Sequence, residues 1–139
     1  MESIIAVTVS SVGFDENPKL SQTALCAFFR ISKDWRLDRE DESVLLGQPG
    51  EAVLADWRRE PDNASLPRDT LERISYLLGI HKALLALFPD AGHANAWVRR
   101  PNAAPLFGGG SALERMLAGN VCDLYVVRKY LDLISGPGA

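Results

Sequence analysis

Apolar residues recur every three to four positions through most of this chain, the period of an amphipathic helix, and they divide it into a series of helices. Ala24, Leu25, Phe28, Phe29 and Ile31 form the first stripe, in a helix expected to begin at Ser21. Residues 37–47 predict a short helix with an acidic first turn, suited to the positive end of the helix dipole, and Gly47 as its C-cap. Pro49 and Gly50 then make a turn, and residues 51–60 resume the period with Val53, Leu54 and Trp57 inward until Pro61 stops them. Helix, tight glycine turn, helix is the layout of a helix-turn-helix.

Residues 66–79 predict a strong helix with Pro67 in its first turn and Leu71, Ile74, Leu77 and Leu78 on one face. The apolar pattern runs on to Phe88, and Pro89 ends it. Residues 92–100 form another short helix carrying Trp97. Ser111 and Glu114 stand at capping-box spacing before Met116 and Leu117. Leu124, Val127, Tyr130, Leu131 and Ile134 put a last helix over residues 123–134, with a frayed tail after it. The pattern breaks in two places. Residues 1–19 open with the β-branched run Ile4-Ile5-Ala6-Val7-Thr8-Val9, but one strand has no partner in a helical chain, so this reads as a flexible arm. Residues 97–113 hold Pro101, Pro105 and three consecutive glycines, and predict a shaped, non-helical connector. The class is all-α.

Composition adds bounds. With 139 residues, 47% of them hydrophobic, the chain supports one core, or two small helical units sharing one. No run approaches the roughly 20 apolar residues of a membrane span and the N-terminus lacks a basic signal-peptide start, so a cytoplasmic protein without a membrane role is expected. Cys26 and Cys122, each in an apolar helical pattern, read as buried free thiols. His81 and His93 have no acid, cysteine or third histidine at ligand spacing, which argues against a metal site, and they give no support to a serine nucleophile. Gly108-Gly109-Gly110-Ser111 lacks the lysine of a phosphate loop, leaving an anion-binding backbone nest as the alternative. An enzyme is the weakest class, and no cofactor is expected.

Interface chemistry is better represented. Trp97, Arg99, Arg100, Pro101, Asn102, Leu106 and Phe107 bring aromatic, arginine and apolar side chains together on the connector, and these types are enriched at protein interfaces. An equal alternative is that Trp97, Leu106 and Phe107 anchor the connector on the core. Both hold if the anchored loop presents Arg99, Arg100 and Asn102 outward.

Five blocks, residues 71–80, 87–89, 96–102, 105–109 and 111–113, resemble in order and spacing the Xre/MbcA/ParS-like antitoxins, the partners of RES-domain toxins. The region from Trp35 to Trp57 looks like the Xre-type helix-turn-helix of the same family. The resemblance covers residues 21–134 and leaves the arm over 1–19 unexplained; it implies a helix-turn-helix region, here 20–65, and a toxin-binding domain, here 66–139. It implies a homodimer that binds a RES toxin, a protein that degrades NAD, blocks that toxin's pocket and represses its own operon. Carried over by position, Trp97, Arg99, Arg100, Pro101, Asn102, Leu106, Phe107, Gly108 and Gly109 fall in the toxin-binding signature. Tyr125, Arg128 and Lys129 on the last helix are then the residues nearest the toxin's active site.

Charge sets the DNA-reading part apart. Residues 34–62 carry nine acids against four bases, whereas after Asn63 the bases outnumber the acids by two. Where the family commonly has a serine with arginine or lysine, this chain has Gln48-Pro49-Gly50-Glu51, a stretch one residue longer. Glu51 and Asp56 would face phosphates, leaving Gln48, Arg58 and Arg59 as the residues able to contact operator DNA. DNA binding by the isolated chain is expected to be weak or lost. The competing readings are a dimeric helix-turn-helix transcriptional regulator without a toxin partner, and an orphan that keeps only the fold.

Overall fold

The computed structural model describes residues 18–135, and every regular element among them is helical. The first helix, α1 (Pro18–Trp35), begins three residues before Ser21, at a proline whose fixed φ suits a first helical turn. Ser21 is buried instead, and its Oγ accepts a hydrogen bond from the Leu66 backbone N–H at 3.1 Å. Leu20, Ala24, Leu25, Phe28, Ile31 and Trp35 line its inner face, while Phe29 is half-buried edge-on against Phe28. The arm read over residues 1–19 lies outside the described residues except for its last two positions, which are helical. The tail after Ser135 lies outside them too.

Two short helices follow, α2 (Arg39–Leu45) and α3 (Glu51–Arg59). Asp38 starts α2 with a reciprocal capping box: its carboxylate accepts from the Asp41 N–H at 2.8 Å, and that of Asp41 accepts from the Asp38 N–H at 3.4 Å. Gly47 follows the end of α2 at φ +93°, and a Cβ there would meet the Asp69 carboxylate at 2.7 Å, so only glycine fits. The Thr70 hydroxyl donates to the Leu46 carbonyl at 3.0 Å, and buried Arg73 pairs with Asp69 at 2.8 Å. The α2–α3 turn is therefore seated on the start of the next long helix. Leu54 and Trp57 face inward from α3, but Val53 does not and is 41% exposed, because a helix of 9 residues this narrow in its apolar stripe has one buried edge.

After a 3-10 turn (Pro61–Asn63), α4 (Arg68–Leu87) is the central helix. Pro67 precedes its first turn rather than lying in it. Leu71, Ile74, Leu77, Ile80 and Leu84 are fully buried, each burial stabilising by about 1.5–3 kcal/mol before entropy is counted, while Leu78 is half-buried. Against α4 pack α1, the short α5 (Ala91–Ala96) and, most extensively, the last helix α7 (Val121–Ser135). Gly79 permits the α4–α7 approach: a Cβ there would overlap the guanidinium of Arg128.

The connector is more ordered than a plain break in helix. It contains two 3-10 turns (Trp97–Arg99 and Pro105–Phe107), and its ends are joined by an antiparallel bridge between Pro101 and Ser111. The Asn102 N–H donates to the Gly110 carbonyl at 2.9 Å, its side-chain oxygen accepts from the Ala104 N–H at 2.9 Å, and Gly108 and Gly109 both take positive φ. Ser111 and Glu114 then form the capping box of α6 (Ala112–Met116).

Both cysteines are exposed rather than buried. Cys26 sits off the stripe that α1 buries at 24, 25, 28 and 31, and Cys122 lines up with Tyr125 and Lys129 on the outer face of α7; helical angle overrides residue type.

Candidate partner-binding surface

Three aromatic rings fix the connector to α7. Trp97 stacks on Tyr130 with centroids 6.4 Å apart, and Phe107 meets both edge-on, at 6.0 Å from Trp97 and 5.3 Å from Tyr130. Phe107 is buried, whereas Trp97, Leu106 and Tyr130 are half-buried, so these side chains anchor the loop. An ion pair adds a second tie: Arg115 of α6 reaches the buried Asp123 carboxylate at 2.8 Å and also donates to the Leu106 carbonyl at 2.8 Å. Asp123 in turn accepts from the Asn120 N–H at 3.2 Å, capping the start of α7. Neither Arg115 nor Asp123 was singled out by pattern, because a long-range pair between two short helices leaves no periodic signal.

The connector's polar residues divide. Arg99 turns back to α1, its guanidinium donating to the Trp35 carbonyl at 3.0 and 3.2 Å and to the Arg36 carbonyl at 2.8 Å. A cation at these carbonyls suits the negative end of the helix dipole. Asn102 is half-buried and occupied within the loop. Arg99, Arg100, Pro101, Gly108 and Gly109 are exposed, but the Arg99 guanidinium is already bonded to α1, so of the polar trio Arg99, Arg100 and Asn102 only Arg100 is not held by the bonds just described.

Beside the loop, α7 presents an open stripe. Cys122, Tyr125, Lys129 and Leu133 are exposed at helical spacing, with Leu133 at 81% and Tyr125 at 44%. The Lys129 ammonium lies 5.7 Å from the centre of the Tyr125 ring, which also meets Tyr76 of α4 edge-on at 5.8 Å. Burial, then the neighbouring Glu72 carboxylate, pushes the Tyr76 phenol above its ordinary pKa, so it stays protonated and donates towards Glu72 at 3.4 Å. Arg128 is held differently from Lys129: it lies across Gly79, with its Nε 3.3 Å from Asp132 and its side chain 28% exposed. Aromatic, cationic and apolar groups on one rigid helix face make a surface suited to a protein partner.

The residues expected to touch DNA are placed elsewhere, around α2 and α3. Gln48 is exposed in the turn at φ +58°. Arg58 donates to both oxygens of the buried Glu42 carboxylate at 2.5 and 2.6 Å, and its guanidinium lies 4.4 Å over the Phe29 ring. Glu42 also accepts from the Ser32 hydroxyl at 2.5 Å. Arg59 pairs with Asp56 at 2.5 Å on the surface. Arg58 and Arg59 are thus matched to acids of the same region, and Glu51, Asp56 and Glu60 stand exposed.

His81 bonds Asp34 at 3.0 Å, while the exposed His93 lies 3.8 Å from Asp90. Among the described residues no group of three or more His, Cys, Asp and Glu side chains stands close enough to hold a metal ion, and no helix is long and apolar enough to cross a membrane.

Residues 83–136, which include the connector and α7, match the antitoxin Xre/MbcA/ParS C-terminal toxin-binding domain. The chain is also similar to the uncharacterized protein y4oB of Sinorhizobium fredii (strain NBRC 101917 / NGR234), with 47% identity over 110 residues that cover 79% of this chain and 82% of that protein. No solved structure matches it.

Proposed function

We propose that this chain, which belongs to the Xre/MbcA/ParS-like antitoxin family, neutralises a RES-domain toxin that degrades NAD. The observation that carries the reading is the coincidence of the family's toxin-binding domain, over residues 83–136, with the pinned connector and the exposed stripe of α7. The family supports a regulatory protein acting by binding rather than by catalysis.

In this reading the toxin-binding part spans residues 66–139. Trp97, Leu106 and Phe107 hold the loop, Arg100, Pro101, Gly108 and Gly109 face the toxin, and Arg99 and Asn102 shape the loop from within. Tyr125, Lys129 and the end of Arg128 lie nearest the toxin's active site, where cations suit a pocket built for an anionic dinucleotide. The protein acts in the cytoplasm as a homodimer, and the toxin complex represses its operon.

Residues 20–65 serve this function with little DNA affinity of their own. Arg58 is committed to Glu42, and the acids exposed on α3 repel phosphates. A helix-turn-helix regulator without a toxin therefore has weaker support than the antitoxin.

The test is co-expression with a candidate RES toxin from the same genome. The intact chain is expected to restore growth and cellular NAD, and the pair Tyr125→Ala, Lys129→Glu to fail in both while remaining folded. Full protection by that folded variant would remove α7 from the interface. Absence of any complex, together with tight salt-sensitive retention of promoter DNA by the chain alone, would reverse the ranking of the two readings.

A further inference from the structure

An open groove of about 540 Å³ lies where the end of α1 meets the start of α2, a size within the range of small-ligand sites. Lys33, Arg36, Arg39 and Arg58 line it, against two carboxylates, Asp38 and Glu42. This excess of positive charge stands inside a region, residues 34–62, in which nine acids face four bases. The acids of the groove are already used. Glu42 is buried and held by Arg58 and the Ser32 hydroxyl, and the Asp38 carboxylate caps α2 by accepting from the Asp41 N–H at 2.8 Å.

Lys33, Arg36 and Arg39 remain. All three are exposed, and among the described residues no hydrogen bond, ion pair or ring contact engages their side chains. The backbone of Arg36 is fixed in place: it turns through the left-handed region at φ +56°, and its carbonyl accepts from the Arg99 guanidinium at 2.8 Å. Three like charges on one concave surface repel one another, and a multivalent anion seated among them relieves all three. Guanidinium and ammonium groups, with five and three N–H donors, suit phosphate oxygens. A chain of linked phosphates meets separate cations along its length, where a carboxylate meets one.

The geometry points to an oligophosphate-binding site in this groove, in which Lys33, Arg36 and Arg39 hold the phosphates of a linear di- or triphosphate. The same chemistry is offered by the phosphate chain of a nucleotide and by free inorganic polyphosphate. A nucleic-acid duplex fits less well. Its backbone would run on past the exposed Glu40 and Glu51, which line the adjoining cavity together with Arg39, and their charges repel it. The site stands apart from the toxin-binding reading and does not depend on it.

The experiment is a calorimetric titration of the full chain with sodium tripolyphosphate at two temperatures, with sulfate and ATP compared at equal ionic strength and without divalent metal. Saturable binding of tripolyphosphate is expected, about tenfold tighter than that of sulfate and weakening as salt is added. The double reversal Lys33→Glu, Arg39→Glu, checked for native circular dichroism, is expected to abolish it. Arg68→Glu, Lys82→Glu, the same change in charge at exposed positions of α4, is expected to leave it intact. If the first double variant does not fold, Lys33→Ala replaces it and is expected to weaken binding about fivefold. ATP binding tighter than tripolyphosphate assigns the site to a nucleotide, and equal or weaker binding assigns it to free polyphosphate. No saturable binding at either temperature, sulfate as tight as tripolyphosphate, equal loss in both double variants, or an unaltered affinity in Lys33→Ala would overturn the proposal. So would a random-sequence DNA duplex that displaces tripolyphosphate at a lower concentration of phosphate groups, which would make the groove a nucleic-acid contact.

Discussion

The guanidinium of Arg99 grips the backbone of Trp35, 64 residues earlier in the chain, with two hydrogen bonds to one carbonyl oxygen. The first residue block of the connector thereby closes off the C-terminal end of α1. Arg99→Ala is expected to lower stability by about 1 kcal/mol, below the usual range for charged hydrogen bonds because this site is partly solvated, and Arg99→Lys to recover less than half of it. Urea unfolding at constant m-value checks both. If Arg99→Ala left the midpoint unchanged, the grip would carry no stability.

Gly79 and Arg128 are coupled by contact. Gly79→Ala should gain helix propensity of up to about 1 kcal/mol, but the new methyl displaces the Arg128 guanidinium from its place beside Asp132. In an Arg128→Ala background the same change should stabilise by about 0.5–1 kcal/mol, whereas in the intact chain it should be neutral or unfavourable. A double-mutant cycle measured by thermal unfolding reads the difference. Simple additivity would mean that the arginine moves aside without cost.

Glu42 is buried and depends on Arg58. Arg58→Ala leaves the carboxylate with the Ser32 hydroxyl alone and is expected to cost about 2 kcal/mol, reduced from the fully buried case because Arg58 is 40% exposed. Glu42→Gln added to it should recover part of the loss. The same Arg58→Ala variant should leave the salt dependence of any DNA retention unchanged, since its charge is already neutralised. A slope shallower by about one unit would show that Arg58 contacts a phosphate.

Tyr76 is held protonated by burial and by Glu72, so its pKa in the folded chain lies above that in the unfolded chain. A group raised in this way contributes stability that is present below the unfolded value near 10 and is lost as pH rises through the folded value. Unfolding midpoints at pH 8 and above pH 10 should therefore fall less steeply for Tyr76→Phe than for the intact chain, and phenolate absorbance should lose its late-titrating component. An unchanged absorbance titration would contradict this.

The helices were legible because their signals are local. The Ser111–Glu114 capping box, the Gly47 turn and the apolar stripes of α1 and α4 each depend on residues within a few positions of one another. What escaped the sequence was carried by distance or by angle. Arg99 looked like outward interface chemistry until the fold brought it to the end of α1, and Arg58 looked available for phosphate until Glu42 came within reach. Cys26, Cys122 and Val53 were read by residue type, but one helical step of about 100° turned each of them outward. The anchoring of Trp97 and Phe107 was legible as one of two alternatives, and only the third ring, Tyr130, distinguishes a ring cluster from a set of separate contacts.

The Pro101–Ser111 bridge makes the intervening loop a closed ring whose entry and exit points coincide. A ring of that kind is a natural cassette. Leu106 and Phe107 tie it to α6 and α7, so its exposed residues alone can change without moving the helical frame on either side.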